Sequence, residues 1–237
     1  MIISGLLKTT LLDFPGRVAC TVFTGGCNLR CPFCHNSDLL DMGLESEYSE
    51  EEVLEFIKKR GSTLEGVAIT GGEPTLQKDL PEFLRKVKEM GLETKLDTNG
   101  INPGMVKQLI DEGLVNYIAM DIKAGEANYA NVCGINEKNL RFDLITKTKD
   151  LILEGRVPYE FRTTVVGGLH SVDDFEAIGK YIEGAENYFL QCYKDSGNIL
   201  DKQAGFYSPS ADDMVLYRDM VAPFVKKATV RGIDIDV

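Results

Sequence analysis

"GVAITGGEPTLQKDLPEFLRKVKEMG", residues 66–91, changes periodicity at its middle. Residues 66–70 are a short apolar run of strand length, GGEP at 71–74 is a turn, and residues 79–91 space their apolar side chains as a helix does. Pro81 in the first turn and Gly91 at the end supply the start and stop signals of that helix. The segment is therefore one strand–turn–helix unit, and the same alternation continues on both sides of it.

Upstream, RVACTVFT (17–24) reads as a strand that runs into GGCNLRCPFCHN (25–36). YSEEEVLEFIKKRG (48–61) follows as a helix, with Ser49 as N-cap, Glu52 at the capping-box position and Gly61 as stop. Downstream the strands are LETKLDT (92–98), VNYIAMDI (115–122), YEFRTTVV (159–166) and NYFLQCY (187–193). Helices are expected over 103–112, 138–154, 172–183 and 210–227, and ATVRGIDI (228–235) closes the chain as a short strand. Six strand–helix units with mostly apolar strands call for a parallel sheet covered by helices. Right-handed crossovers bend such a sheet toward a barrel, and six units fall short of the eight that close one. The expected fold is α/β, a partial (β/α)6 barrel open on one side with an extra edge strand at the C-terminus. A flat doubly wound sheet satisfies the same pattern. No linker or low-complexity tract interrupts residues 1–237, so a single domain is expected, its core at about 17–193 and a C-terminal helix and strand in 194–237.

Composition narrows the function. Lys and Arg number 26 against 37 Asp and Glu, a net charge of −11 that repels phosphate backbones and argues against a nucleic-acid partner. Apolar runs are strand-sized, so no membrane span is expected, and MIISGLLKTTLLDFPG lacks the basic end and cleavage site of a signal peptide. A cytoplasmic protein is expected, where thiols stay reduced and clustered cysteines serve as ligands.

In open α/β folds function sits at the carboxyl ends of strands, and four consecutive strands carry polar signatures there. The cysteine loop follows the first, GGEP the second, Asp97-Thr98-Asn99-Gly100 the third, and Asp121 with Lys123 the fourth. Singly, each could be turn chemistry, a cap or a solvated charge; four in succession point to one functional rim. Cys27, Cys31 and Cys34, spaced Cys-x3-Cys-x2-Cys, are three soft ligands without a fourth. His35 could complete a zinc site only by folding back beside Cys34, and Cys133 and Cys192 form no second pair. A four-iron cluster on three cysteines leaves one iron without a protein ligand. Cys20, Cys133 and Cys192 read by default as small apolar side chains.

These motifs resemble a known family. Cys27, Cys31 and Cys34, with aromatic Phe33 before the last, are similar to the signature of the radical S-adenosylmethionine (SAM) superfamily, and GGEP to its second motif. DFPGRVACTVFTGGCNLRCPFCHN, AITGGEPTLQKDLPEFLRKVKEMGLETKLDTNG, YIAMDIKA and YEFRTTVV together resemble the activating enzymes of glycyl-radical enzymes. The nearest resemblance is to activating proteins of anaerobic ribonucleoside-triphosphate reductase, with pyruvate formate-lyase activating enzymes as near relatives.

The resemblance implies a radical SAM partial barrel and an oxidoreductase with two cofactors, a [4Fe-4S] cluster on Cys27, Cys31 and Cys34 and SAM on the open iron. One-electron cleavage of SAM would give methionine and a 5′-deoxyadenosyl radical, which takes a glycine α-hydrogen from a partner glycyl-radical enzyme. Gly71, Gly72 and Glu73 would receive the methionyl ammonium, Lys123 the SAM carboxylate, and Phe33, His35 and Asn36 would lie near the adenine. Asp97 would also face SAM, and with Thr98 and Asp121 would ligate a monovalent cation beside it. His170, after the VVGGL turn, falls where such enzymes place a polar residue toward SAM, and Arg162, inside a strand, needs an acidic partner or the SAM carboxylate. Electrons would come from a flavodoxin- or ferredoxin-type donor. A different radical SAM reaction on a small molecule, or a plain electron carrier, are the competing functions.

Overall fold

The computed structural model describes residues 1–61, 63–195 and 197–233. Among the described residues eight strands are hydrogen-bonded in the order of the sequence, so the first and last are edges and the sheet does not close on itself. They are β1 (Ile3–Thr10), β2 (Ala19–Thr24), β3 (Gly66–Gly71), β4 (Glu93–Thr98), β5 (Tyr117–Asp121), β6 (Tyr159–Val165), β7 (Tyr188–Cys192) and β8 (Ala228–Arg231). Helices α1 (Glu50–Arg60), α2 (Leu80–Glu89), α3 (Pro103–Asp111), α4 (Glu126–Val132), α5 (Phe142–Leu153), α6 (Val172–Tyr181) and α7 (Ala211–Val221) lie between β2 and β8. The six strand–helix units expected from periodicity are β2 to β7 with their helices. β8 is the expected C-terminal edge strand; the last residues assigned to it, 234–235, lie outside the described residues. No helix among the described residues is long and apolar enough to cross a membrane.

By its contacts the chain forms two compact units. The first is Met1–Asn28, Asp38–Ala119 and Leu144–Pro158. Here β2, β3 and β4 are parallel and β1 adds antiparallel to β2, with register shifts between Ile3 and Gly5 and between Leu7 and Thr10. β2 is buried along most of its length because both faces of the sheet are covered. Val22, Val67, Ile69 and Leu96 meet no solvent, nor do Val53 and Ile57 of α1, Phe83, Leu84 and Val87 of α2, and Val106 and Leu109 of α3. Such side chains each contribute about 1.5–3 kcal/mol by leaving water. α1 begins as its sequence specifies: Glu52 N–H donates to Ser49 Oγ (3.2 Å) and Ser49 N–H to Glu52 Oε2 (2.8 Å).

The second unit is Leu29–Ser37, Met120–Asp143 and Tyr159–Val237. β6, β7 and β8 are parallel, with Leu190 facing Thr163 on one side and Val230 on the other. Tyr129, Phe161, Phe175 and Tyr188 are fully buried; Phe175 stacks on Tyr217 with centroids 4.1 Å apart, and Tyr129 meets Phe142 edge-on at 5.1 Å.

Candidate active site

In the first unit the glycine turn after β3 is fastened to the start of the cysteine loop. Gly72 N–H donates to Thr24 O (2.8 Å), Glu73 N–H to Gly26 O (2.8 Å) and Gln77 Nε2 to Gly25 O (2.8 Å). Gly26 and Cys27 N–H groups in turn reach Leu39 O (2.8 Å) and Leu40 O (3.2 Å). This closeness explains both glycines. Gly71 has φ +115°, and a Cβ on Gly72 would lie 2.1 Å from the Gly26 carbonyl oxygen. Gly72→Ala is therefore expected to shift Gly26 and the adjoining Cys27, costing about 1–3 kcal/mol and lowering iron content per chain, both readable by melting and iron analysis. An alanine variant with wild-type stability and iron would mean the turn can yield.

Glu73 is buried, 1% exposed. Its Oε1 accepts from Thr75 N–H (3.0 Å), Thr75 Oγ1 (2.5 Å) and Thr98 Oγ1 (2.7 Å), and Oε2 from Asn99 N–H (2.7 Å). Burial pushes its pKa up against these bonds. The carboxylate thus ties the turn to the end of β4. Thr98 Oγ1 also accepts from Gly100 N–H (3.1 Å). Asp97 is bonded to the Lys95 ammonium of the same strand. Asn99, which was not among the expected site residues, places Nδ2 3.9 Å from Cys27 Sγ and 3.0 Å from Asn28 Oδ1. Its position in the DTNG rim was the available signal.

In the second unit Cys31 and Cys34 lie on a tight turn, Cys34 N–H donating to Cys31 O (3.0 Å). The end of α4 supports it: Arg30 N–H donates to Cys133 O (2.9 Å), and Gly134, at φ +62°, leaves no room for a Cβ, which would stand 2.0 Å from Arg30 O. The Cys31 thiol is drawn down to about 7, first by a hydrogen bond with the Cys133 side chain and further by the Lys123 charge, against the effect of burial. Cys133 is therefore more than the apolar filler expected. Burial raises Cys34, opposed by a hydrogen bond from the Asn36 backbone. Cys20 fits its apolar reading, pushed up to about 12 by burial, and Cys192 is buried in β7.

Phe33 is buried; His35 stacks on Tyr193 (5.4 Å, 8°) with Nε2 2.7 Å from Lys194 O. The Tyr193 hydroxyl is buried without a hydrogen-bond partner. Asp121, at the end of β5, pairs with Lys123 Nζ (2.8 Å) and Arg162 Nε (2.5 Å), which gives Arg162 the acidic partner its place in a strand requires. Although burial opposes ionisation, the two cations hold the Asp121 carboxyl well below the usual range, and Asp121 holds Lys123 protonated. One pairing leaves Lys123 with further N–H donors for an anion.

His170 faces backbone at both nitrogens: Nδ1 accepts from Val166 N–H (3.1 Å), so Nε2 carries the proton toward Lys123 O (2.8 Å). The ring thus braces the residue beside Asp121 and keeps no nitrogen for SAM. Burial lowers its pKa. Below pH of about 6.5 the unfolded chain binds a proton that the folded ring resists, so stability falls as pH drops through that value toward the lower folded pKa. His170→Gln is expected to remove this component, seen as a shallower loss of unfolding free energy than in wild type on acidification from about pH 7 to about pH 5.5. Identical slopes would show the ring does not resist protonation.

Among the described residues no three His, Cys, Asp or Glu converge as a single-ion site; in a cubane each thiolate binds a different iron. The donor set fits such a cluster: free thiols at Cys27, Cys31 and Cys34, one already acidic, with polar donors from Asn99 and Asn36 on two of the sulfurs. The imidazole–phenol stack of exposed His35 on buried Tyr193, whose hydroxyl has no hydrogen-bond partner, fits a nucleoside base.

The model of the radical SAM superfamily matches residues 21–182. A candidate glycyl-radical enzyme activating enzyme of Methanocaldococcus jannaschii is 31% identical over 98% of this chain and 97% of that protein. The pyruvate formate-lyase-activating enzyme of Clostridium pasteurianum is 34% identical over 79% of each. Among solved structures, a radical SAM methyltransferase from Sphaerobacter thermophilus superposes with a TM-score of 0.72 at 19% identity, covering 94% of this chain and 68% of that one, a likeness of fold.

Proposed function

The chain belongs to the radical SAM superfamily, and from that premise we propose that it activates a glycyl-radical enzyme, the anaerobic ribonucleoside-triphosphate reductase. The observation that carries the activase reading is the match along nearly the whole of both chains to a candidate activating enzyme. The CHN, DTNG and AMDIK stretches also favour an activase, and the choice of reductase rests on the nearest resemblance among activating enzymes. A pyruvate formate-lyase partner is the second reading, favoured by the named relative from Clostridium.

When bound, the [4Fe-4S] cluster and SAM supply one-electron cleavage of a C–S bond and a 5′-deoxyadenosyl radical able to take a glycine α-hydrogen. The chain's own part is position and charge. Cys27, Cys31 and Cys34 hold the cluster, with Asn99 orienting Cys27 and Cys133 orienting Cys31. Carbonyls of Gly71 and Gly72 take the methionyl ammonium, fixed in place by the inward-turned Glu73. Lys123, kept protonated by Asp121, takes the SAM carboxylate, and Phe33, His35 and Asn36 line the adenine. A flavodoxin- or ferredoxin-type protein supplies the electron.

The test is electron paramagnetic resonance of the reconstituted protein with SAM, reductant and each candidate partner. A glycyl doublet on the reductase is expected. A doublet on pyruvate formate-lyase alone selects the second reading. Formation of 5′-deoxyadenosine with no radical on either partner would place the substrate elsewhere, and no SAM cleavage at all would revive an electron carrier.

A further inference from the structure

β4 carries Lys95 and Asp97 at alternate positions, so both side chains leave one face of the strand. Lys95 is 2% exposed, and an ammonium so far from water needs a carboxylate. Asp97 is that carboxylate. The residue paired with Lys95 across the strands is small, Ala68 of β3.

The other groups expected to ligate a monovalent cation are also occupied by the chain itself. Thr98 gives its hydroxyl hydrogen to Glu73 and accepts from Gly100. In the second unit, Asp121 repeats the device of β4, with Lys123 two residues on and Arg162 from β6 both on its oxygens. One carboxylate charge is balanced by one ammonium, and a free ion approaching Asp97 would meet the Lys95 charge at close range. The donor set therefore does not fit an added monovalent cation.

We infer that Lys95 is a tethered counter-ion that takes the place of a free potassium or sodium ion at Asp97, so that this protein binds SAM without a monovalent cation. Lys95 is a positioning residue: it fixes Asp97 and does not touch the reacting atoms. The inference rests on the reading of the end of β4 as part of the SAM site.

The test compares wild type with Lys95→Met, which keeps the apolar stem and removes the charge. Each is loaded with its cluster and melted in potassium, sodium or choline chloride at matched ionic strength, and SAM affinity is titrated in the same salts. Wild type is expected to melt within about 1 °C in all three and to bind SAM within about twofold. Lys95→Met is expected to melt lower in choline, to regain about 2–4 °C in potassium or sodium, and to recover SAM affinity with it. Wild type stabilised by potassium or sodium over choline would overturn the inference, as would a Lys95→Met protein as stable as wild type and indifferent to salt. If Lys95→Met does not fold, wild-type salt dependence decides, and rubidium found at Asp97 in crystals of the wild type would count against the tether. A wild type that binds no SAM in any salt sinks the proposed function, while the melting comparison still decides whether Lys95 replaces an ion.

Discussion

Cys31→Ser is expected to lose its iron, from about four atoms per chain to almost none, and with it the brown colour, SAM cleavage and any glycyl radical. The loss should be as complete for Cys27→Ser and Cys34→Ser, because a cubane on three thiolates has no spare protein ligand. A serine oxygen is harder than sulfur and stays protonated at neutral pH, so it does not replace the thiolate. The local structure sharpens the case at Cys31: hydrogen bonding with Cys133 and the nearby Lys123 charge already favour its anion before metal arrives. Cys192→Ser should keep iron and colour, since that side chain lies buried in β7. Cys133→Ser should also keep them, because it removes a partner of a ligand and not a ligand. Iron analysis and the visible spectrum decide the series; a serine variant at 27, 31 or 34 that stays brown and forms radical would remove that residue from the cluster.

Asp121→Asn is expected to be the most destabilising change away from the cysteines. It leaves the Lys123 ammonium and the Arg162 guanidinium facing a neutral amide, with side chains 17% and 15% exposed. Stranding a fully buried charge costs about 3–5 kcal/mol; partial exposure here brings the expectation to about 3 kcal/mol, read as a fall in melting temperature of about 6–12 °C. The pH dependence has a definite sign. Asp121 ionises in the fold well below the unfolded carboxylate value of about 3.9, so its contribution is complete above that value and is lost as pH falls toward the folded pKa. Asp121→Asn should therefore lie well below wild type in stability at neutral pH and converge with it in acid. A constant difference at every pH would mean that packing, and not charge, was lost.

How much of this was legible in the sequence depended on range. The helix of 48–61 carried its own capping box, and the pattern of 66–91 placed β3, the glycine turn and α2 because periodicity and turn chemistry are properties of neighbouring residues. β1 was missed: an edge strand with a mostly half-exposed or exposed interior and two register shifts has no clean alternation to read. α4, at seven residues and without a side-chain N-cap bond, is too short to display a helical stripe and was missed; the helix expected over 138–154 is α5, which begins only at Phe142.

Legible along the chain were the alternation of strands and helices, the polar motifs that follow individual strands, and the three-cysteine loop whose spacing led to the family. Tertiary structure alone decided what those side chains touch. It turned Glu73 inward onto Thr75, Thr98 and Asn99, set both nitrogens of His170 on backbone, brought Cys133 to Cys31 from α4, and gave Asp97 to Lys95 and Asp121 to Arg162. Hydrogen bonds and ion pairs act over a few ångströms in space, whereas periodicity acts along the chain. A motif can therefore announce a site, and folding assigns each charge in it a partner.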